Sequence, residues 1–229
     1  PYESIDGYFT CAEPITELPS DPSKGNIVPL SDDDYEAYTL PQPILLYGEP
    51  YDQIYIGSNG QITMNNGSTD YTETLSEHFS QPLISMLWDD LNPSSGGTVR
   101  YAPLIDRVVV SFVGVPEYSN TGSNTFQCEM FFGGTIRLSW LGIGSNDSIV
   151  GLSAGEGQPT GFEQSDLSAL NNCGDPPVLG DVNGDGIVNV TDLLAIMDAW
   201  GPCSDCPEDL NDDGTVNIID LLEVVGNWG

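Results

Sequence analysis

The chain has 229 residues, with 4 Lys and Arg against 35 Asp and Glu, for a formal net charge of −31. That charge repels phosphates and anionic lipid, which excludes nucleic acid as a partner, and no apolar run approaches the roughly 20 residues of a membrane helix, which excludes membrane insertion. Hydrophobic residues make up 39%, with 26 Gly and 17 Pro, a composition of turns and short strands in one or two domains.

Residues 1–34 hold five prolines, Pro1, Pro14, Pro19, Pro22 and Pro29, and end in Ser31-Asp32-Asp33-Asp34. They read as an extended arm. Such an arm is expected to pack on something: a partner subunit, by adding a strand to an open sheet edge, or its own domain, stapled by Cys11. From 35 to 172 the pattern is β. Strand-like runs fall at Gln53–Ile56, Gln61–Met64, Leu83–Trp88, Thr98–Tyr101, Arg107–Val113, Thr125–Phe132, Thr135–Trp140 and Ser148–Leu152. Ser58-Asn59-Gly60 and Gly133-Gly134 supply hairpin turns between adjacent runs. Short strands punctuated this way predict an antiparallel β-sandwich, jelly-roll-like, making the chain mainly β. Residues 173–179 read as a linker.

The remainder, 180–229, repeats itself. Asp181-Val-Asn-Gly-Asp-Gly-Ile-Val-Asn-Val-Thr-Asp192 aligns with Asp209-Leu-Asn-Asp-Asp-Gly-Thr-Val-Asn-Ile-Ile-Asp220 at a period of 28, and each copy runs into a short helical pattern ending in Trp-Gly. Leu193, Ile196, Met197 and Trp200, or Leu221, Val224, Val225 and Trp228, share one helix face, so the two helices are expected to bury each other's stripes. A twelve-residue loop coordinates calcium through positions 1, 3, 5, 7, 9 and 12. Those positions are Asp181, Asn183, Asp185, the Ile187 carbonyl, Asn189 and Asp192, then Asp209, Asn211, Asp213, the Thr215 carbonyl, Asn217 and Asp220. Gly186 and Gly214 stand at the sharply turning position 6, and Val188 and Val216, at position 8, are candidates for a short β bridge between the loops. The segment has 11 acidic residues and no Lys or Arg, so its folding is expected to depend on two calcium ions.

Residues 180–229 resemble a dockerin module: two EF-hand-like loop-helix repeats with Asp at the last ligand position. The resemblance implies calcium binding and docking to a cohesin-like partner. The chain departs from it at the usual recognition positions, where Val190-Thr191 and Ile218-Ile219 replace Ser-Thr. Upstream, Tyr47-Gly-Glu-Pro-Tyr-Asp-Gln-Ile-Tyr-Ile-Gly-Ser-Asn-Gly-Gln-Ile-Thr-Met64 followed by Leu87-Trp-Asp-Asp-Leu-Asn-Pro93 resembles a nidogen-like sandwich. That resemblance implies an extracellular, generally non-catalytic module of bacterial surface or secreted proteins. Asp89, Asp90 and Asn92, at the end of a predicted strand, are candidates for a third cation site, against a turn that only bonds to itself.

Cys203-Ser-Asp-Cys206 reads as a local disulfide of an exported protein; a thioredoxin-type site lacks its strand and helix, and a zinc site lacks ligands. Cys11, Cys128 and Cys173 leave one further pair and one odd thiol. Gly151-Leu-Ser-Ala-Gly155 fits the nucleophile-elbow spacing, but no helix follows, and the sole His78 precedes the serine. No catalytic set is expected. Tyr51, Tyr55, Tyr101, Tyr118 and Trp140 are candidates for a glycan platform. The reading is a non-catalytic extracellular or cell-surface calcium-binding structural protein that self-assembles through arm and repeats into a layer or filament. The alternatives are an adhesin binding a glycan or another extracellular protein, and an accessory part of a secreted hydrolase.

Overall fold

The computed structural model describes residues 4–5, 8–119, 122–160, 162, 164, 167, 170, 173, 180, 182, 188–203, 206–211 and 213–228. The chain divides into one unit at Pro14–Gln164 and a second made of Pro1–Glu13 with Ser165–Gly229. In the second unit β1 (Ser4–Ile5) and β2 (Tyr8–Phe9) form a small antiparallel pair, and a disulfide joins Cys11 to Cys173. The odd thiol is therefore Cys128, buried in the other unit. The expected linker lies, Cys173 apart, outside the described residues.

The larger unit runs through β3 (Asn26–Ile27), β4 (Tyr35–Leu46), β5 (Glu49–Gly57), β6 (Gln61–Thr63), a short helix α1 (Leu75–His78), β7 (Pro82–Trp88), β8 (Thr98–Pro103), β9 (Arg107–Val115), β10 (Asn124–Phe131), β11 (Ile136–Gly142) and β12 (Ile149–Ala154). Two five-stranded sheets result, in the orders β11-β10-β9-β8-β3 and β12-β7-β6-β5-β4. Neighbours pair antiparallel throughout. Each sheet is a meander of four consecutive strands plus one distant strand at an edge, so the connections are not the Greek keys of a jelly roll. The sandwich core takes Ile54, Ile56, Ile62, Ile84, Met86 and Trp88 from one sheet and Val99, Val108, Val110, Phe112, Phe126 and Met130 from the other. Phe112 and Phe126 stack at 4.6 Å between centroids, and the Trp140 indole donates across to the Met86 carbonyl at 2.8 Å.

Two changes of detail follow from the strand pairings. Of the two options open to the arm, residues 14–34 take packing on the chain's own domain, with Cys11 lying outside it in the other unit. β3 pairs with β8, the Val28 amide donates to the Val99 carbonyl at 2.9 Å, and Val28 and Leu30 are buried. The open edge of β8 is thus filled by the chain's own segment, which removes it as a template for another molecule. Further back, Ser20 donates its amide to Gln127 at 3.0 Å and its hydroxyl to the buried Glu129 at 2.7 Å. The unit therefore begins near residue 14 rather than 35. The second change is β4, a twelve-residue strand that carries Pro41 and Pro43. It lies at a sheet edge, where missing amide donors are tolerated, and its register shifts between Thr39 and Ile44 around the prolines.

The C-terminal repeats form α2 (Val190–Asp198), β13 (Gly201–Pro202), β14 (Thr215–Val216) and α3 (Ile218–Gly226). Val188, Ile196, Val216 and Val224 make a small core, with Leu193 and Leu221 partly buried against it. Val216 pairs with Gly201 across β13 and β14. The helix stripes are only half used: Met197, Trp200, Val225 and Trp228 remain exposed. Nine-residue helices contact each other along one narrow line, too little to cover a stripe two or three side chains wide.

Candidate metal centres

Of the first repeat's expected ligands, Asp181, Asn183, Asp185 and Ile187 lie outside the described residues. Asn189 and Asp192 are described, and they form a capping box at the start of α2. Asp192 is fully buried, accepting from the Asn189 amide at 2.8 Å and the Val182 amide at 2.9 Å. The second repeat copies this. Asp220 is fully buried and accepts from the Asn217 amide at 2.8 Å and the Leu210 amide at 2.9 Å. In each capping box the carboxylate takes the cap amide and the cap Asn side chain takes an amide of the first turn, two of the helix's orphan donors, while the second carboxylate oxygen holds a loop amide ten residues back.

The rest of the second loop is wound around its own carboxylates. Asp209 accepts from the Gly214 amide at 2.7 Å and the Asp213 amide at 3.2 Å, and Asp213 accepts from the Thr215 amide at 3.0 Å. Gly214 has φ +83°, the left-handed turn its place in the loop requires. Asn217 donates to the Thr215 carbonyl at 2.8 Å, and Asn211 donates to Asp213 at 3.1 Å. The donor set is all oxygen and the repeat carries no basic residue, so Asp209, Asn211, Asp213, Thr215, Asn217 and Asp220 fit a hard cation in kind. Their carboxylates do not lie in mutual contact: among the described residues, the carboxylate group drawn together within 4.8 Å is elsewhere. Cys203 and Cys206 are disulfide-bonded between the repeats.

That other group is Asp32, Asp33 and Asp90. The Ser58-Asn59-Gly60 turn builds it. Asn59, almost fully buried, donates to Asp33 Oδ1 at 3.0 Å and accepts the Leu91 amide at 3.1 Å, while its carbonyl takes the Asp89 amide at 3.2 Å. Asn59, Gln61 and the Trp88 indole all donate to the Asp70 carbonyl, at 3.2, 3.1 and 3.2 Å. Gly60 has φ +75°, and a Cβ there would stand 2.1 Å from the Leu87 carbonyl oxygen, so only glycine fits. Removal from water pushes the Asp90 carboxyl above the ordinary aspartate range, and the charges of Asp33, Asp32, Asp89 and Glu73 push it further. Of the three residues expected at this strand end, Asp90 is in the acidic group, and Asp89 adjoins it, accepting the Asp90 amide at 2.7 Å. Asn92 Oδ1 is instead taken by the Ser94 amide at 3.0 Å. Asp32 and Asp33 were missed, because nothing local marks a run of acids before β4 as the partner of β7.

Most of the other candidates are packing groups. His78 is buried with Nδ1 2.9 Å from Ser85 Oγ and Nε2 3.3 Å from the Leu152 carbonyl, and desolvation lowers its pKa. Ser153, the serine of the Gly-x-Ser-x-Gly stretch, is buried within β12. Burial pushes the Cys128 thiol far up, which leaves it unreactive. Of the five aromatic candidates for a glycan platform, Tyr101 is buried against Tyr38 with ring centroids 4.3 Å apart, Tyr51, Tyr55 and Trp140 are half-buried with the Trp140 indole donating to the Met86 carbonyl, and Tyr118 is exposed.

No curated protein and no solved structure matches the chain. A family model described as NIDO related matches residues 10–104, a span that holds both the Ser58-Asn59-Gly60 turn and the Trp88-Asp89-Asp90 segment. The larger unit thus carries a nidogen-like domain, and together with the two disulfides this points to an extracellular location.

Proposed function

We propose that the chain is a non-catalytic extracellular calcium-binding structural protein that associates through the apolar face of its dockerin-like repeats. One observation carries this reading. Val190, Leu194, Met197 and Trp200 of the first repeat, and Ile218, Leu222, Val225 and Trp228 of the second, are each 46–59% exposed and recur at the period of 28. Soluble chains seldom leave so many large apolar groups in water without a partner for them. Calcium at Asp181, Asn183, Asp185, Ile187, Asn189 and Asp192, and at Asp209, Asn211, Asp213, Thr215, Asn217 and Asp220, supplies +4 where carboxylates otherwise repel and folds the face into shape. The occupant is a second copy of the chain, head to tail, which propagates if it does not close. Residues 14–34 of the expected arm are spent on the chain's own sandwich, which supports the helix face as the element offered to the second copy.

The duplication favours a second reading. A face offered twice suits docking to a cohesin-like extracellular protein in either of two orientations. Light scattering at millimolar calcium and at equal chelator separates the two. Chelator-reversible growth in mass, lost in Trp200→Ala with Trp228→Ala, is the expected result. A calcium-loaded monomer at high protein concentration overturns self-association and leaves the docking reading. Calorimetry that detects no calcium bound to residues 180–229 overturns both.

A further inference from the structure

We propose that Asp32, Asp33 and Asp90, backed by Asp89, form a calcium site in the nidogen-like unit, independent of the C-terminal repeats. One carboxylate oxygen from each of Asp32, Asp33 and Asp90 lies within 4.8 Å of the other two. Acidic groups cluster on many surfaces without holding an ion, so closeness alone proves little. The second observation is burial without donors. Asp32 Oδ1 and Asp89 Oδ2 are buried side-chain oxygens with no hydrogen-bond partner, and Asp89 as a residue is only 7% exposed. Its other oxygen accepts the Asp90 amide at 2.7 Å, so Asp89 adjoins the group, while the orphan oxygen of Asp32 belongs to one of the three carboxylates themselves.

An anionic oxygen out of water with no donor is among the costliest arrangements in a folded chain. A basic side chain or a metal ion relieves it. The described ion pairs fall elsewhere, Arg107 and Arg137 on Asp106 and Glu129, while Arg100 donates to the Gly25 carbonyl. A cation satisfies the orphan oxygen of Asp32 and the crowded carboxylates together. The ligands are all hard oxygens from several aspartates, with the half-buried Asp32, Asp33 and Asp90 leaving room for water. Calcium accepts that arrangement of six to eight mixed oxygens, whereas magnesium keeps its water and takes one or two carboxylates. The ion would tie the segment entering β4 to the end of β7, with Asn59 already holding both in register.

The test uses the full disulfide-bonded chain and counts calcium per molecule by native mass spectrometry. Asp90→Asn is expected to lower the count by one, and Asp181→Ala with Asp209→Ala is expected to leave one ion that Asp90→Asn then removes. This holds whether or not the repeats bind calcium, so the two readings fail separately. Melting supplies a second readout. In chelator, Asp90→Asn is expected to melt at or above the wild type, since it removes repulsion. In millimolar calcium the wild-type sandwich is expected to gain a higher melting temperature and the variant to gain none. A purely structural Asp90 would not reverse sign in this way. Asp32→Asn serves the same comparison if Asp90→Asn does not fold. An unchanged calcium count in both variants overturns the site, as does no calcium bound once the repeat ligands are removed. The same count and melting shift with magnesium overturns its assignment to calcium.

Discussion

Glu129 tests how the sandwich holds the segment that precedes it. The side chain is fully buried in β10, yet it meets Arg107 at 3.2 Å, Arg137, and the Ser20 hydroxyl at 2.7 Å. Two of the chain's four basic residues are therefore spent on one carboxylate. Glu129→Ala removes three bonds to a charged acceptor. At about 1.5–3 kcal/mol each the sum reaches roughly 4–9 kcal/mol. The arginines recover part of this because Arg107 and Arg137 side chains are 24% and 44% exposed and rehydrate when released. Breaking a buried pair from one side typically costs about 3–5 kcal/mol, and that recovery favours the lower end, about 3 kcal/mol. For a unit of this size each kcal/mol moves the melting temperature by about 2–4 °C, so a fall of roughly 6–12 °C is expected. Urea unfolding with an unchanged slope checks that stability alone has altered. Glu129→Gln keeps the shape and the Ser20 bond and is expected to lose less. Asp106→Ala, which removes only an exposed partner of Arg107, is expected to cost under about 1 kcal/mol. A Glu129→Ala protein within about 1 kcal/mol of wild type would refute the reasoning, because it would mean the buried carboxylate gains nothing from its partners.

Two further outcomes follow from the geometry. Gly60→Ala places a Cβ against the Leu87 carbonyl at a positive φ, so a loss of about 3 kcal/mol or more is expected, read by urea unfolding; a neutral effect would mean that the turn is not rigid. His78 titrates below the ordinary imidazole value because burial removes its water, the Leu152 carbonyl opposing this weakly. The unfolded chain then binds a proton that the folded chain refuses, so the contribution of His78 is complete above about pH 6.5 and falls away as pH drops below it. His78→Gln is expected to flatten the stability slope between about pH 7 and pH 5.5, and identical slopes in the two proteins would count against the buried neutral imidazole.

Much of the architecture was legible locally. The hairpins around Ser58-Asn59-Gly60 and Gly133-Gly134, the strands from Gln53 to Leu152, and the repeat of 28 residues all rest on short-range pattern: alternation, a glycine where φ must be positive, a cap three residues before an acid. What the sequence could not decide is what those patterns meet. Residues 14–34 have no period of their own because they fill another strand's edge, and the need for them is visible only once β8 is in place. Pro41 and Pro43 argue against a strand until β4 is seen at a sheet edge. Cys11 finds Cys173 across 162 positions, a pairing that chain spacing cannot choose. The acidic group is the same lesson at the level of function. Asp90 is visible in the sequence as a candidate, and the structure brings it to Asp32 and Asp33, while the Asn92 side chain closes its own turn. Asp32 and Asp33 come to Asp90 only because Asn59 binds both segments, and a contact between residues so far apart is set by tertiary packing and by nothing in the neighbouring sequence.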